Sequence, residues 1–234
     1  MSSIRKRLPG TPEPVHVLGL PSGLRVAYDS WGPSGAQPVI LLHGGGQTRH
    51  AWRGAGQRLG DAGYQAVAVD LRGHGDSGWA DDGDYGYDAL ADDLVAFVAA
   101  AGFSRPVLVG ASLGGAVSLL TVGESRIDPA ALVIVDTAPR LEQGGVSNLR
   151  TFMTQRPDGF DDLDEVADAI AAYNPHRTRP ASAHGLAKNM RVDDAGKLHW
   201  HWDPRFMAPD RKTVDWAERQ ARMEQCASNL TVPT

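Results

Sequence analysis

The sequence predicts an α/β fold in which helices flank a mostly parallel sheet and a helical segment is inserted into the chain. Short apolar runs rich in β-branched residues alternate with helical patterns as far as Pro139, which is typical of parallel-sheet proteins. Residues 110–115, which carry a serine with a glycine two positions before it and another two positions after it, join one of these strands to the next helix. After Pro139 the alternation is lost, and this change marks the inserted segment.

Six strands are predicted before that point. Their ranges are 15–20, 24–28, 38–42, 65–70, 106–109 and 131–136. The first two form a hairpin through Pro21, Ser22 and Gly23. The third is a continuous apolar run, which is typical of a strand buried on both faces of a parallel sheet.

One amphipathic helix precedes the serine motif. Its apolar residues recur at helical spacing and predict one face that packs on the sheet: Leu90, Leu94, Phe97 and Val98. Gly102 is expected to end this helix before the next strand begins.

Residues 110–115 read Gly-Ala-Ser-Leu-Gly-Gly, the G-x-S-x-G pattern of a nucleophile elbow. The backbone turns sharply there, so glycine is needed two residues either side of Ser112 and the serine hydroxyl is left exposed. The helix that follows directs free N–H groups toward the serine. The chain contains 27 glycines, so the motif alone also fits a chance occurrence.

A second glycine-rich stretch, His43-Gly44-Gly45-Gly46, follows the third strand directly. Bare backbone N–H groups at a strand end are suited to stabilising an oxyanion. The alternative is a flexible turn. For His43 itself we favour a structural role as a hydrogen-bonding residue of the loop.

The motif order is H-G-G-G, then D-L-R-G-H-G-D-S at 70–77, then G-A-S-L-G-G. Over about residues 15–139 this order resembles the α/β-hydrolase family, in the branch that carries a cap domain. The resemblance implies the α/β-hydrolase fold, with Ser112 as nucleophile and the backbone amides of Gly45 and Leu113 as the oxyanion hole. It implies a structural turn around His74 and Asp76, so neither is expected to be catalytic.

The resemblance also predicts the domain organisation. Residues 1–139 form the hydrolase core, residues 140–209 the cap, and residues 210–234 a return helix and the start of a further core strand. Within the cap a helix is expected over 162–173, and Asp162 with Glu165 could form a capping box. The return helix is expected over 214–226 and the strand opening over 229–234.

One cap stretch, residues 198–203, alternates in character. If it is extended, Trp200 and Trp202 share one face, and the other face carries His199, His201 and Asp203. A turn at 194–196 connects it to residues 190–192. An H-x-H pair can bind zinc, but no third ligand is identifiable. We therefore predict no metal, tryptophans that pack the cap, and histidines that meet solvent or the pocket mouth.

A serine nucleophile needs a histidine base and a carboxylate that orients it. The histidines after Ser112 are all in the predicted cap: His176, His184, His199 and His201. Asp136, at the end of the sixth strand, is where some members of the resembled family place the carboxylate. The family's usual acid and histidine follow later strands, so the resemblance implies that the C-terminal part of a hydrolase is lacking here.

The sequence thus predicts a serine hydrolase that transfers the acyl group of an ester or related small carbonyl substrate to Ser112, with no cofactor. Serine at the elbow argues against epoxide hydrolase and haloalkane dehalogenase chemistry, which uses a carboxylate. Cofactor-free haloperoxidase or perhydrolase activity and carbon–carbon bond hydrolysis share the motifs and stay open. So does a non-catalytic binding module with an incomplete catalytic set.

Composition indicates the class of partner. The net charge is −5, with 23 basic and 28 acidic residues, so no basic surface for nucleic acid is expected. No apolar run has transmembrane length and no signal peptide is recognisable. The single cysteine, Cys226, fits a reducing cytoplasm and a structural role. We expect a small-molecule substrate and no membrane partner, and the sequence leaves the oligomeric state open.

Overall fold

The fold is described by a computed structural model over residues 6–140, 143–173, 175–176, 182–207 and 216–234, with the side chains of 143–146 excepted. Its main sheet has six strands, in the order β2-β3-β5-β4-β6-β7. They are β2 (His16–Gly19), β3 (Arg25–Trp31), β4 (Pro38–Leu42), β5 (Gln65–Val69), β6 (Val107–Ala111) and β7 (Ala131–Val135). All six predicted strands are therefore confirmed, with small shifts at their ends.

The sheet is mixed at one side and parallel at the other. β2 pairs antiparallel with β3, and β3 pairs antiparallel with β5. The β5-β4-β6-β7 part is wholly parallel. The predicted hairpin and the mostly parallel sheet are both confirmed, and the parallel part brings the carboxyl ends of β4, β6 and β7 to one edge.

Helices cover both faces of this sheet. They are α1 (Arg53–Asp61), α2 (Tyr87–Ala100), α3 (Leu113–Gly123) and α6 (Trp216–Ser228). Ile40 and Val67 pack with α2, α3 and α6 in the larger core cluster, whereas Val39 and Ala66 pack on the opposite face near α1. Alternate residues of one strand thus enter different cores, which explains why β4 and β5 are apolar almost throughout.

A second layer is formed by residues 143–207, which we call the covering segment. It contains α4 (Gln143–Thr154), α5 (Leu163–Tyr173), β8 (Met190–Val192), β9 (Leu198–Trp200) and short 3-10 turns at His184–Asn189 and Pro204–Met207. β1 (Lys6–Arg7) pairs with β8, so the first described residues join this layer in a sheet ordered β1-β8-β9. The inserted segment thus contains helices together with the hairpin that the sequence predicts from the extended stretch at 198–203 and the turn at 194–196.

Two local predictions within the covering segment hold, for the start of α5 and for the two tryptophans. The Glu165 N–H donates to Asp162 Oδ1 at 2.9 Å, so Asp162 caps α5 as predicted. Glu165 Oε2 accepts the N–H of Asp161 at 2.8 Å instead of the N–H of Asp162, so the second bond of a capping box is displaced by one residue. Trp200 and Trp202 stack on one side of the hairpin, with ring centroids 4.8 Å apart.

The last described stretch follows α6, whose predicted first residues lie outside the described ranges. Residues 229–234, predicted to open a strand, have no strand conformation. Their one backbone bond to the sheet runs from the Leu132 N–H in β7 to the Pro233 carbonyl, at 2.9 Å. Cys226 is buried where α6 crosses α3, and a Cβ built on Gly123 would lie 2.5 Å from it, so a structural role fits. None of the described helices has the length and apolar character of a membrane span.

Candidate active site

Ser112 lies at the strained turn between β6 and α3. Its backbone has φ +45° and ψ −108°, a conformation that L-residues with a side chain rarely adopt. A Cβ built on Gly110 would lie 2.3 Å from the Gly114 carbonyl oxygen, and one on Gly114 would lie 2.5 Å from the Leu42 oxygen. Glycine at both positions is thus a steric requirement, as the elbow motif predicts.

The H-G-G-G loop lies directly against this turn. The Gly114 N–H donates to the His43 carbonyl at 3.1 Å, and a Cβ built on Gly44 would lie 3.3 Å from the Ser112 Cβ. The Gly44 N–H is itself held by Gln47 Oε1 at 3.1 Å. The fold therefore brings together the two glycine-rich motifs, which are almost 70 positions apart in the printed sequence.

The two amides predicted to form the oxyanion hole are free to donate. Among the described residues, neither the Gly45 N–H nor the Leu113 N–H has a hydrogen-bond acceptor. Leu113 opens α3, so its N–H has no partner within the helix. Ser112 is half-buried, and its hydroxyl also has no hydrogen-bond partner within the described part of the chain.

Apolar side chains of the covering segment surround the glycine loop. A Cβ built on Gly45 would lie 3.8 Å from both Leu149 Cδ2 and Phe206 Cε1. One built on Gly46 would lie 3.4 Å from the Trp202 ring and 3.5 Å from Met153. Sequence reasoning missed these neighbours, because nothing in the local pattern of the covering segment shows which of its apolar residues face the loop.

Asp136 follows β7 and lies at the same edge of the sheet as Ser112. The Ser112 N–H donates to the carbonyl of Val135, the residue before Asp136, at 3.0 Å. The Asp136 side chain is exposed, its φ is +54°, and it contacts no histidine of the described residues. The Asp136 carboxylate thus lies at the edge of the sheet that carries Ser112, but no described histidine is in contact with it to act as the base.

No described histidine hydrogen-bonds the Ser112 hydroxyl. His43, predicted to be structural, is buried: its Nδ1 donates to the Gly44 carbonyl at 2.8 Å and its Nε2 accepts the Leu71 N–H at 3.0 Å. Burial lowers the pKa of His43 to about 4, so the ring is neutral at pH 7. His176 and His184 are exposed on the covering segment.

His199 and His201 do not meet solvent, so the solvent alternative of that prediction is wrong. His199 is buried and its Nε2 lies 2.8 Å from Asp193 Oδ2. His201 is 1% exposed and both of its nitrogens bond to backbone groups of the core. The strand ends at Trp200, so the chain turns afterwards and carries His201 inward rather than outward. His201 therefore has no nitrogen free for a metal ion.

The D-L-R-G-H-G-D-S turn winds around the buried Asp70 carboxylate. Asp70 accepts the Arg49 N–H at 2.7 Å and pairs with the Arg49 guanidinium, which also binds Asp76 at 2.9 Å. A Cβ on Gly75 would lie 2.2 Å from Asp70 Oδ2. Asp76 further binds Arg191 of the covering segment at 2.9 Å. This turn is structural, as predicted, and it ties the two layers together.

Comparison with known proteins agrees with this architecture. A model described as alpha/beta hydrolase fold matches residues 37–226. The chain belongs to this family. A member from Acinetobacter calcoaceticus, a bifunctional esterase/perhydrolase, is 33% identical over 220 residues, which cover 90% of this chain and 76% of the relative.

Two further comparisons agree with the family and the fold. An esterase of Mycobacterium tuberculosis is 32% identical over 182 residues, covering 74% of this chain and 58% of that protein, so this chain matches little more than half of the esterase. A crystal structure of an alpha/beta hydrolase from Novosphingobium aromaticivorans superimposes with a TM-score of 0.75 at 24% identity, covering 91% of this chain and 77% of that one.

Proposed function

We propose that this hydrolase-family chain carries the nucleophile and oxyanion hole of a serine esterase. Ser112 attacks the carbonyl carbon of an ester, and the Gly45 and Leu113 amides stabilise the negative charge that develops on the carbonyl oxygen. The alcohol leaves, and water then hydrolyses the acyl-serine. The observation that carries the proposal is a half-buried Ser112 whose hydroxyl, like the amides of Gly45 and Leu113, has no hydrogen-bond partner among the described residues.

Two further observations support this chemistry. A serine nucleophile is typical of the family, and the two curated relatives described above are named as an esterase and as an esterase/perhydrolase. The loop beside Ser112 is lined by Leu149, Phe206 and Trp202, which favours an uncharged, apolar acyl group. We propose that the covering segment acts as the cap predicted at residues 140–209, and that the protein works in the cytoplasm on a small molecule.

The Ser112 proton needs a base within hydrogen-bond reach, and no described histidine is bonded to that hydroxyl. The test therefore uses both this chain and the full product of its reading frame. Each is treated with a fluorophosphonate probe and assayed with p-nitrophenyl acetate. We expect labelling that Ser112→Ala abolishes and that Ser125→Ala leaves intact. Ser125 is a matched control, because it is an exposed serine whose φ is also positive, at +56°.

Labelling that persists in Ser112→Ala would refute the assignment. Absence of any Ser112-dependent reaction in the full product would favour the alternative of a non-catalytic binding module. Asp136 stays the predicted carboxylate within this chain. Asp136→Asn should lower kcat if it orients the base, and an unchanged kcat would remove it from the site.

A second candidate activity is perhydrolysis, in which hydrogen peroxide replaces water and releases a peracid. The resemblance to the esterase/perhydrolase of Acinetobacter calcoaceticus favours it, since that relative matches 90% of this chain. Adding hydrogen peroxide to the ester assay should then yield peracid in the wild type and none in Ser112→Ala.

A further inference from the structure

Three buried histidines lie behind the glycine loop, and acyl transfer by Ser112 uses none of them. The ring centroids of His43 and His74 are 5.1 Å apart, and those of His74 and His201 are 5.8 Å apart. All three are essentially inaccessible to solvent. The first two belong to the core motifs, whereas His201 comes from the covering segment. Clustering three imidazoles in the interior is costly unless each nitrogen is satisfied.

Each ring nitrogen is hydrogen-bonded to a backbone group of the loops that meet here. His74 Nε2 accepts the Gly46 N–H at 3.1 Å, and His74 Nδ1 donates to the Arg72 carbonyl at 3.0 Å. His201 Nδ1 accepts the Gly75 N–H at 2.8 Å, and His201 Nε2 donates to the Gly46 carbonyl at 3.2 Å. Gly46 is therefore held at its N–H by the core and at its carbonyl by the covering segment.

These bonds fix the orientation of the proposed oxyanion donor. A peptide group is planar, so the His43 bond to the Gly44 carbonyl also orients the Gly45 N–H in the same plane. His74 and His201 hold the next two peptide planes, at Gly46. Three successive glycines have no side chains to restrict them, and these hydrogen bonds supply the restriction.

We propose that His201 is a positioning residue: through the Gly46 carbonyl it holds the glycine loop so that the Gly45 N–H faces the oxyanion. The oxyanion hole then forms fully only when the covering segment is seated on the core. This inference rests on the proposed esterase function. Burial keeps the pKa of His201 well below its ordinary value, with His74 and Arg191 adding to the effect, so the ring is neutral and can both accept and donate.

Two substitutions separate the two bonds of the ring. In His201→Gln the side-chain amide reaches the position of Nε2 and can still donate to Gly46. In His201→Asn a polar group remains near the position of Nδ1, next to the Gly75 N–H, but the donor to Gly46 is lost. His199→Asn is the matched control, because His199 lies in the same stretch and contacts Asp193 rather than the loop.

The kinetic test measures kcat and KM with p-nitrophenyl acetate in the protein form that reacts at Ser112. We expect His201→Asn to lower kcat by about tenfold to a hundredfold with KM changed less than about twofold, because a misplaced oxyanion donor acts on the transition state. His201→Gln should recover most of the lost kcat, and His199→Asn should match the wild type. Unchanged kcat in His201→Asn, or a rise in KM alone, would overturn the proposal.

A second measurement does not depend on turnover. Amide hydrogen exchange at Gly46 should be at least about tenfold faster in His201→Asn than in the wild type, and close to wild type in His201→Gln and His199→Asn. Equal exchange rates at Gly46 in all four proteins would refute the positioning role of His201, even if the protein has esterase activity. If Gly46 exchanges faster in His201→Asn but no Ser112-dependent reaction is detected, the positioning role of His201 is supported and only the proposed esterase function is contradicted.

Discussion

Lowering the pH from 7.5 to 5.5 should remove at least about 3 kcal/mol from the free energy of unfolding. Burial lowers the pKa of His43 to about 4, that of His74 to about 3, and that of His201 well below the ordinary value near 6.5. The unfolded chain regains the ordinary value. Below pH 6.5 the unfolded state therefore binds protons that the folded state does not, and stability falls as the pH decreases toward the folded pKa values.

The size of this loss follows from the interval between the unfolded pKa values and pH 5.5. At pH 5.5 His43 and His74 are one unit below their unfolded pKa and more than one unit above their folded pKa values of about 4 and 3, which corresponds to about 1.4 kcal/mol for each. These two groups together give about 3 kcal/mol, and the lowered pKa of His201 adds in the same direction. Burial also lowers the pKa of His50, which adds in the same direction. Carboxylates with ordinary pKa values near 4 stay ionised in both states across this window.

Urea unfolding followed by tryptophan fluorescence at the two pH values measures the difference directly. The His201→Gln protein provides the internal comparison, because it loses one of the three titrating groups and the pH dependence of its free energy of unfolding should be smaller than that of the wild type. Equal free energies of unfolding at pH 7.5 and 5.5 would refute the reasoning. A His201→Gln protein whose free energy of unfolding depends on pH as strongly as that of the wild type would also refute it.

Two further predictions concern the elbow. Gly114→Ala should lower the free energy of unfolding in urea by about 3 kcal/mol, because its Cβ would lie 2.5 Å from the last carbonyl of β4. Gly19→Ala is the control and should change it by less than about 0.5 kcal/mol, because a Cβ there meets nothing within 4 Å. Equal effects of the two substitutions would contradict the steric argument. Ser112→Gly should be about 1 kcal/mol more stable than Ser112→Ala, because alanine keeps a Cβ at φ +45° and glycine does not. A thermal melt with alanine the more stable would show that the turn stores no strain.

Much of the fold could be predicted because its signals are local. β4 and β5 are apolar on both faces, and the structure buries them between two helical layers. The N-terminal cap of α5 depends on residues that are at most four positions apart. The sequence interpretation did not identify α1, whose residues 53–61 include three glycines and three charged side chains and only two apolar residues, Ala55 and Leu59.

The covering segment was predicted less well. Its helix and hairpin turn follow from local patterns, but β1 joins it across more than 180 positions, and no local signal marks that pairing. Nor does alternation along residues 198–203 reveal that the strand ends at Trp200. That ending sends His201 into the core and leaves His199 beside Asp193.

The sequence by itself determined the nucleophile elbow, since a sharp strand-to-helix turn with a strained φ at Ser112 tolerates only glycine at its two crowded positions. It also determined the parallel sheet that carries this elbow. Only the tertiary structure decided which groups hold the glycine loop in place. His43, His74 and His201 are distant along the chain, and their roles depend on which backbone N–H and carbonyl groups face each ring once the two layers pack together.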